Sequence, residues 1–448
     1  MRKAYEEYKA TGIQWLPQIP RHWEYKKINS LFLERKTKVS DKDYQPLSVT
    51  KSGILHQLAD AAKSNDSDNR KLVLTGDFVI NSRSDRKGSC GVSALDGSVS
   101  LINIVLEPKR KLEQLFVHYL LRCQPFSEEY YRCGRGIVAD LWTTRYSEMK
   151  SIFLPIPPRE EQEQIVRFLD WKVSSINKLI NLKQQEIMEL KELKKATISD
   201  AVTHGLDKTV PMKDSGISWL GKIPQHWEIK FLSQIATEQK IKKSKDDMFP
   251  IMSLSYGQII KKKNIDAGLV PTTYDNYQMI YEGNIILRFT DLQNDHTSLR
   301  TGLVKEQGII TSAYTNIKPA INSSFLAYLL HSYDNMKLFY GLGGGVRQSI
   351  GFKDVRYLSF PIPPRYEQDR IVHFLDTRCA EIDRLISAKQ AQITNLHDLK
   401  SSLIADVVTG KIDVRDVEIP DYEQVEETLY KSDDNDTLQS EDEIPEEV

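Results

Sequence analysis

The phrase "LPIPPREEQEQIVRFLD", which begins at Leu154, returns as "FPIPPRYEQDRIVHFLD" from Phe360. Carried on to Ile180 and Ile386, the match is 15 of 27 positions without a gap. A second phrase, "GIQWLPQIPRHWEYKKI" from Gly12, recurs as "GISWLGKIPQHWEIKFL" from Gly216, with 10 of 17 positions identical. Weaker echoes between them keep the same order. "PLSVTKSGIL" from Pro46 parallels "PIMSLSYGQII" from Pro250, "TGDFVINSR" from Thr75 parallels "EGNIILRFT" from Glu282, and "FVHYLL" from Phe116 parallels "FLAYLL" from Phe325. A unit of about 200 residues is too long for a solenoid repeat, so the chain reads as two whole modules, one after the other.

The two copies agree at their ends and differ in their middles, roughly residues 29–150 and 233–355. This is one architecture with two unlike central surfaces. The middles read as mixed α/β: "KLVLTGDFVI" and "NIILRF" are short β-rich runs bounded by Gly, Asn and Asp, whereas "LEQLFVHYLLRC" and "SSFLAYLLHSY" carry helical spacing.

After each "PIPP" the pattern becomes purely helical. Paired prolines suit a helix start, and Glu160, Glu161 and Glu367 suit its positive end. Leu169, Val173, Ile176, Ile180, Ile187 and Leu190 then keep three/four spacing, matched by Leu375, Cys379, Ile382, Ile386, Ile393 and Leu396. Lys183 and Lys389 interrupt both stripes at one heptad position, where a polar residue fixes register. Each helix should run about 40–45 residues, roughly 60–68 Å. Each supplies the partner that the other needs, and antiparallel pairing is favoured because it would hold two modules apart.

The formal net charge of −1 conceals an asymmetry. Residues 416–448 hold 14 Asp/Glu against the single Lys431, a net −13, so residues 1–415 carry +12. A basic body suits a polyanionic partner, and the acidic segment reads as a disordered, solubilising tail. No run of 18 apolar residues is present, nor an apolar leader after Met1, which points to a cytoplasmic protein away from membranes. Cys90, Cys123, Cys133 and Cys379 show no metal-ligand spacing and read as reduced thiols.

Catalytic signatures are missing. There is no GxxxxGK[ST], HExxH or GxSxG, no Asn/Asp-Pro-Pro-aromatic motif, and "GLGGGVRQSIG" from Gly341 lacks the context of a phosphate loop. His22 and His226, each in an "HWE" phrase, read as packing residues. The middles do offer basic and amide-bearing loops at two matching places. The first copy has Arg83, Ser84, Arg86 and Lys87 after one strand and Arg135 and Arg145 near its end. The second has Arg288, Asp291, Gln293, Asn294 and Arg300, then Arg347 and Gln348. Lys51, Lys240, Lys242, Lys243, Lys261, Lys262 and Lys263 add phosphate-neutralising charge. Arg, Gln and Asn can read base edges bidentately, while Lys mainly meets phosphate.

The paired "W-L-x-x-I-P-x-H-W-E" openings, the paired "PIPPRxEQ" closings and the helices ending "LKKATISDAVTHG" and "LKSSLIADVVTGKID" together resemble the DNA-specificity subunit of type I restriction–modification systems. The resemblance covers about residues 12–412. It implies two target-recognition domains (1–157 and 216–363), each reading half of a bipartite, asymmetric duplex site, and two long helices (the first with its linker, 158–215, and the second, 364–412) packed as an antiparallel coiled-coil spacer. An acidic tail (413–448) completes the division. It also implies two docked adenine methyltransferase subunits and separate restriction/translocase subunits. S-adenosylmethionine, ATP and magnesium would then belong to those partners, with no cofactor, metal or catalytic residue in this chain. A self-contained methyltransferase or nuclease, and a two-module DNA-binding regulator, are the competing readings. Methyl transfer by the chain alone, or failure to co-purify a methyltransferase, would favour them.

Overall fold

The computed structural model describes residues 3–57, 68–83, 86–109, 112–136, 142–242, 249–262, 276–289, 299–341 and 350–428. The chain divides into two compact units. One is Met1–Lys183 with Ala391–Thr428, and the other is built on Gln184–Gln390.

In the first unit, β-branched runs form an antiparallel sheet in the order Cys90–Val92, Phe78–Asn81, Asn103–Pro108 and Phe32–Glu34. A second sheet joins Gly97–Val99, Arg70–Val73 and Lys38–Val39, and Leu47–Thr50 pairs with Gly53–His56 as a hairpin. The helix Gln114–Arg122 buries Phe116, Val117, Leu120 and Leu121 on one face. The opening phrase supplies Glu24–Lys27, which pairs antiparallel with Phe153–Ile156 from the closing phrase.

The second unit repeats that frame. Glu228–Phe231 pairs with Ser359–Ile362, and the helix Ser323–Asn335 is capped by Asn322, whose side chain accepts from the Phe325 amide at 3.1 Å. Its sheet has six strands, ordered Ala236–Gln239, Thr315–Pro319, Ile285–Leu287, Thr301–Leu303, Gln258–Lys261 and Met252–Ser255. One neighbouring pair is parallel, at Gln258 and Leu303. The divergent middles of the sequence are thus different sheets on a shared frame.

The long helices are Arg159–His204, with 46 residues, and Arg365–Val408, with 44. They pack antiparallel. Within the first unit Gln164 reaches the carbonyl of Val414 and Lys400 reaches Asn177. Within the second, Lys389 meets Glu186 at 2.6 Å and Lys194 meets Asp383 at 2.7 Å. Leu169, Ile176, Ile180, Ile187, Leu375, Cys379, Ile382 and Ile393 are buried, and Val173, Lys183, Leu190, Ile386, Lys389 and Leu396 are half-buried.

Each helix ends inside a globular core. Ile198, Ala201 and Val202 join the cluster around Trp227, and Ala405, Val407, Val408, Ile412 and Val414 join the one around Trp23. Gly205 (φ +73°) and Gly410 (φ +77°) close the two helices in the left-handed region. A Cβ on Gly410 would lie 2.4 Å from Pro20, and one on Gly205 would lie 3.2 Å from Trp227.

The expectation of a disordered tail from residue 413 is not met for residues 413–428. Val414 is fully buried, and Val417 and Ile419 pack against the first core. Amide side chains on the first long helix hold the strap's backbone: Gln164 donates to Val414 and Val417, Asn177 to Val425, and Asn181 to Glu426. Sparse apolar side chains and captured carbonyls order a segment whose charge alone argues against order. Residues 429–448 lie outside the described residues.

Candidate nucleic-acid interface

The repeated phrases are accounted for by side-chain latches. In the first unit Glu161 Oε1 accepts from the Tyr5 hydroxyl at 2.6 Å and the Trp23 indole at 3.0 Å, and Oε2 lies 2.7 Å from His22. In the second, Glu367 Oε2 accepts from Trp227 at 3.1 Å and lies 2.8 Å from His226. Gln162 and Gln368 each donate to the carbonyl of the first of the paired prolines, at Pro157 and Pro363. Their Oε1 atoms accept from the Glu113 and Asn322 amides, at the start of the module helix. Asp170 and Asp376 accept from Tyr119 and Tyr328, both at 2.7 Å. Burial, reinforced by the neighbouring carboxylate, pushes both phenols up. The "HWE" and "RxEQ" phrases therefore fasten each module to its helix, and His22 and His226 belong to that fastening.

The chassis leaves the middles to differ. In the first unit two loops far apart in sequence meet through Thr143, which bridges to both Arg83 and Arg135. Arg135 and Thr143 exchange backbone hydrogen bonds at 2.8 and 2.9 Å, and the Thr144 amide donates to the Ser82 carbonyl. Arg83, Arg86, Lys87, Arg135 and Arg145 are all exposed around this junction. Lys87 Nζ stands 5.1 Å from the Tyr131 ring centre. Arg122 joins the hairpin to the same cleft by donating to the Lys51 carbonyl, which leaves the Lys51 side chain exposed at the turn. Tyr131, Trp142 and Arg122 also line the cleft, and sequence reasoning missed all three. The signal was present in "YYRCGRG" and "LWTTR", where aromatics interleave with arginines.

In the second unit the candidates are more dispersed. Lys240 pairs with Glu238 at 3.0 Å and Lys261 with Glu306 at 2.9 Å. Lys242 is exposed beside a bridge to Gln278, Lys262 is half-buried with its amide on the Ile251 carbonyl, and Arg288 is half-buried with its amide on the Arg300 carbonyl. Arg300 is a correction. It is 0% exposed, its Nε lies 3.3 Å from the Tyr340 hydroxyl, and its amide donates to the buried Asp334. A guanidinium buried beside the Tyr340 ring faces the core, so it cannot reach DNA without a rearrangement of its surroundings. Ser84, Lys243, Lys263, Asp291, Gln293, Asn294, Arg347 and Gln348 lie outside the described residues.

Among the described residues no group of His, Cys, Asp and Glu could hold a metal ion, and no helix is long and apolar enough to cross a membrane. The four cysteines are free thiols. Burial pushes the Cys90 and Cys123 thiols up to about 12, which leaves them poor nucleophiles.

Comparison with known proteins agrees with this geometry. The profile of the "Type I restriction modification DNA specificity domain" matches twice, over residues 20–192 and 224–395. The "Putative type I restriction enzyme MjaX specificity subunit" of Methanocaldococcus jannaschii is 23% identical over 440 residues, covering 92% of this chain and 97% of the relative. The "Type I restriction enzyme MjaVIII specificity subunit" of the same organism is 24% identical over 339 residues, covering 72% and 76%. A chain from a solved structure, described as the structural basis underlying complex assembly and conformational transition of the type I R-M system, shares the fold. Its TM-score is 0.63 at 14% identity, over 88% of this chain and 99% of that one. The paired latches and the repeated frame define a protein built of two copies of one module. The chain belongs to the type I restriction–modification DNA specificity family, as a specificity subunit.

Proposed function

We propose that this subunit reads a bipartite, asymmetric duplex sequence, one half by each module, residues 1–157 and 216–363. The spacer segments, residues 158–215 (a helix and its linker) and 364–412, dock two adenine methyltransferase subunits in the cytoplasm. Restriction/translocase subunits complete the assembly. S-adenosylmethionine, ATP and magnesium are held by those partners. The observation that carries the reading is one latch set, made twice, beneath two different sheets. A shared chassis asks for equivalent neighbours, and unlike sheets ask for unlike half-sites.

Half-sites about one duplex turn (~34 Å) apart present the same groove face to two linked readers. Lys51, Arg83, Arg86, Lys87, Arg135 and Arg145 serve the first half-site, and Lys240, Lys242, Lys261, Lys262 and Arg288 serve the second. The arginines suit base edges and the lysines suit phosphates. Adenine must leave the stack to be methylated, and that extraction falls to the partner while this chain grips both flanks.

Co-expression with the cognate methyltransferase, followed by genome-wide mapping of methylated adenines, tests the proposal. The expected product is a gapped, two-part motif, of which exchange of residues 29–150 alters one half. A continuous motif, or methylation indifferent to this chain, overturns it.

A further inference from the structure

Thr143, in the first unit, has backbone on both sides. Arg135 and Thr143 exchange hydrogen bonds at 2.8 and 2.9 Å. On the other side the Thr144 amide donates to the Ser82 carbonyl at 2.9 Å, and Arg83 stands opposite Thr143. Both bridges are antiparallel. Residues directly opposite in such pairs share one face, and their neighbours along the chain take the other. The three segments divide accordingly. Arg83 and Arg135 are exposed with Thr143 half-buried between them, whereas Thr144 is buried and Trp142 half-buried on the inner face. Opposed residues lie about 5.5 Å apart in a hydrogen-bonded pair and about 4.5 Å in the other kind, so the α-carbons of Arg83 and Arg135 stand roughly 10 Å apart.

The inner face is locked to the helix Gln124–Arg132. The Trp142 indole donates to the Tyr131 carbonyl at 2.9 Å, and its ring centre lies 5.9 Å from that of Tyr131. The Thr144 hydroxyl donates to the Tyr130 carbonyl at 3.0 Å, and the Tyr130 hydroxyl donates to the Thr144 carbonyl at 2.9 Å. Gly134 leaves the room for this packing: a Cβ there would stand 2.3 Å from Trp142 Nε1 and 2.7 Å from Thr144 Oγ1. Both neighbours of Thr143 are therefore fixed from within, and the outward face is held rigid.

We propose that Arg83, Thr143 and Arg135 enter the major groove as one reading unit, with Trp142 as the positioning residue that fixes the two arginines relative to each other. The inference rests on the DNA-reading role proposed above and assigns Thr143 and Trp142 parts in it. A major groove ~12 Å wide admits a β-ribbon, and a guanidinium offers two donors to guanine O6 and N7. Laid along the groove, arginines roughly 10 Å apart meet guanines about three base pairs apart, at ~3.4 Å per step. Thr143, with a hydroxyl and a methyl, faces the position between them.

The test uses the full chain co-expressed with its methyltransferase. Methylated adenines are mapped, and the complex is then titrated with the mapped duplex and its single-base variants. Arg83→Ala and Arg135→Ala should each relax one guanine, both in the same half of the motif and about three base pairs apart, with discrimination there falling about tenfold. Thr143→Val should alter preference between those two positions. Trp142→Phe keeps a ring and removes the indole donor, so it should weaken selection at both guanines together. The salt slope and the other half of the motif should stay as they were, which a general loss of folding would not allow. Gly134→Ala, which pushes the indole off its seat, should act in the same way, and Trp142→Phe is the milder variant should that chain not fold. Arginine variants that relax no position, positions in different halves or more than five base pairs apart, or a Trp142→Phe complex that selects both guanines as before overturn the inference. A wild-type complex without a gapped motif overturns the functional reading as well, whereas a gapped motif indifferent to these variants overturns this inference alone.

Discussion

Glu161 accepts hydrogen bonds from a buried phenol and a buried indole and faces a histidine. Glu161→Ala strands those donors, and each buried donor left without a partner costs about 1–3 kcal/mol. The first unit should lose about 2–4 kcal/mol in urea unfolding, and Glu161→Gln, which keeps an acceptor, about half of that. In sequence the same glutamate was legible only as a charge at a helix start, because its partners lie 138 or more residues away. Arg300 was misread for a related reason: a loop arginine shows its type in sequence, not the direction it turns. Lys87→Ala should flatten the salt dependence of DNA affinity by about one unit of log–log slope, whereas Arg83→Ala should cost about 1–3 kcal/mol and relax one position of the first half-site. Arg300→Ala should lower stability and leave that slope unchanged. Protons provide a further check. Burial, with Arg122 beside it, holds His118 down to about 4, and burial also lowers His331. Between pH 4 and the ordinary histidine value of ~6.5 the unfolded chain binds the extra proton, so stability rises with pH across that window. Acidification from pH 7 should lower the urea midpoint progressively below about pH 6.5, and His118→Gln should weaken that dependence.

The two long helices were the most legible elements, since their apolar period repeats over several turns and is written twice. Their terminal glycines were legible as residues but not as contacts. Gly410→Ala puts a Cβ against Pro20 and Trp23 at positive φ, so the first unit should lose about 1–3 kcal/mol, read as a lower denaturation midpoint. The strap of residues 413–428 was hidden by its own composition. Most of its acidic residues face solvent, Asp413 and Glu427 being held by Arg415 and Lys400, and the order comes from Val414, Val417 and Ile419 and from Gln164, Asn177 and Asn181, none of which forms a periodic signal. Sheet order in the middles was likewise beyond reach, because short β-rich runs show that strands exist without showing which strands pair.

For the whole molecule, duplication is visible in sequence because the latch residues are spelled out in both copies, whereas the strands of the two middles are not. The partition into units is less visible, since each core recruits the end of a helix that begins in the other repeat. A chain stopped after Gln390 should thus keep slow amide exchange in Ile285–Leu287 and lose it in Phe78–Asn81, as hydrogen-exchange mass spectrometry would report. The same arrangement orders events on the ribosome. The core around Trp23, the first to be translated, waits for Ala405 to Val414 before its wall is complete, while the core around Trp227 has every wall by residue 390. The buried set of the later-translated half should thus be complete first, and the earlier half should spend most of synthesis with an open flank. Any helper that shields nascent apolar surface would be needed at the beginning of this chain rather than at its end.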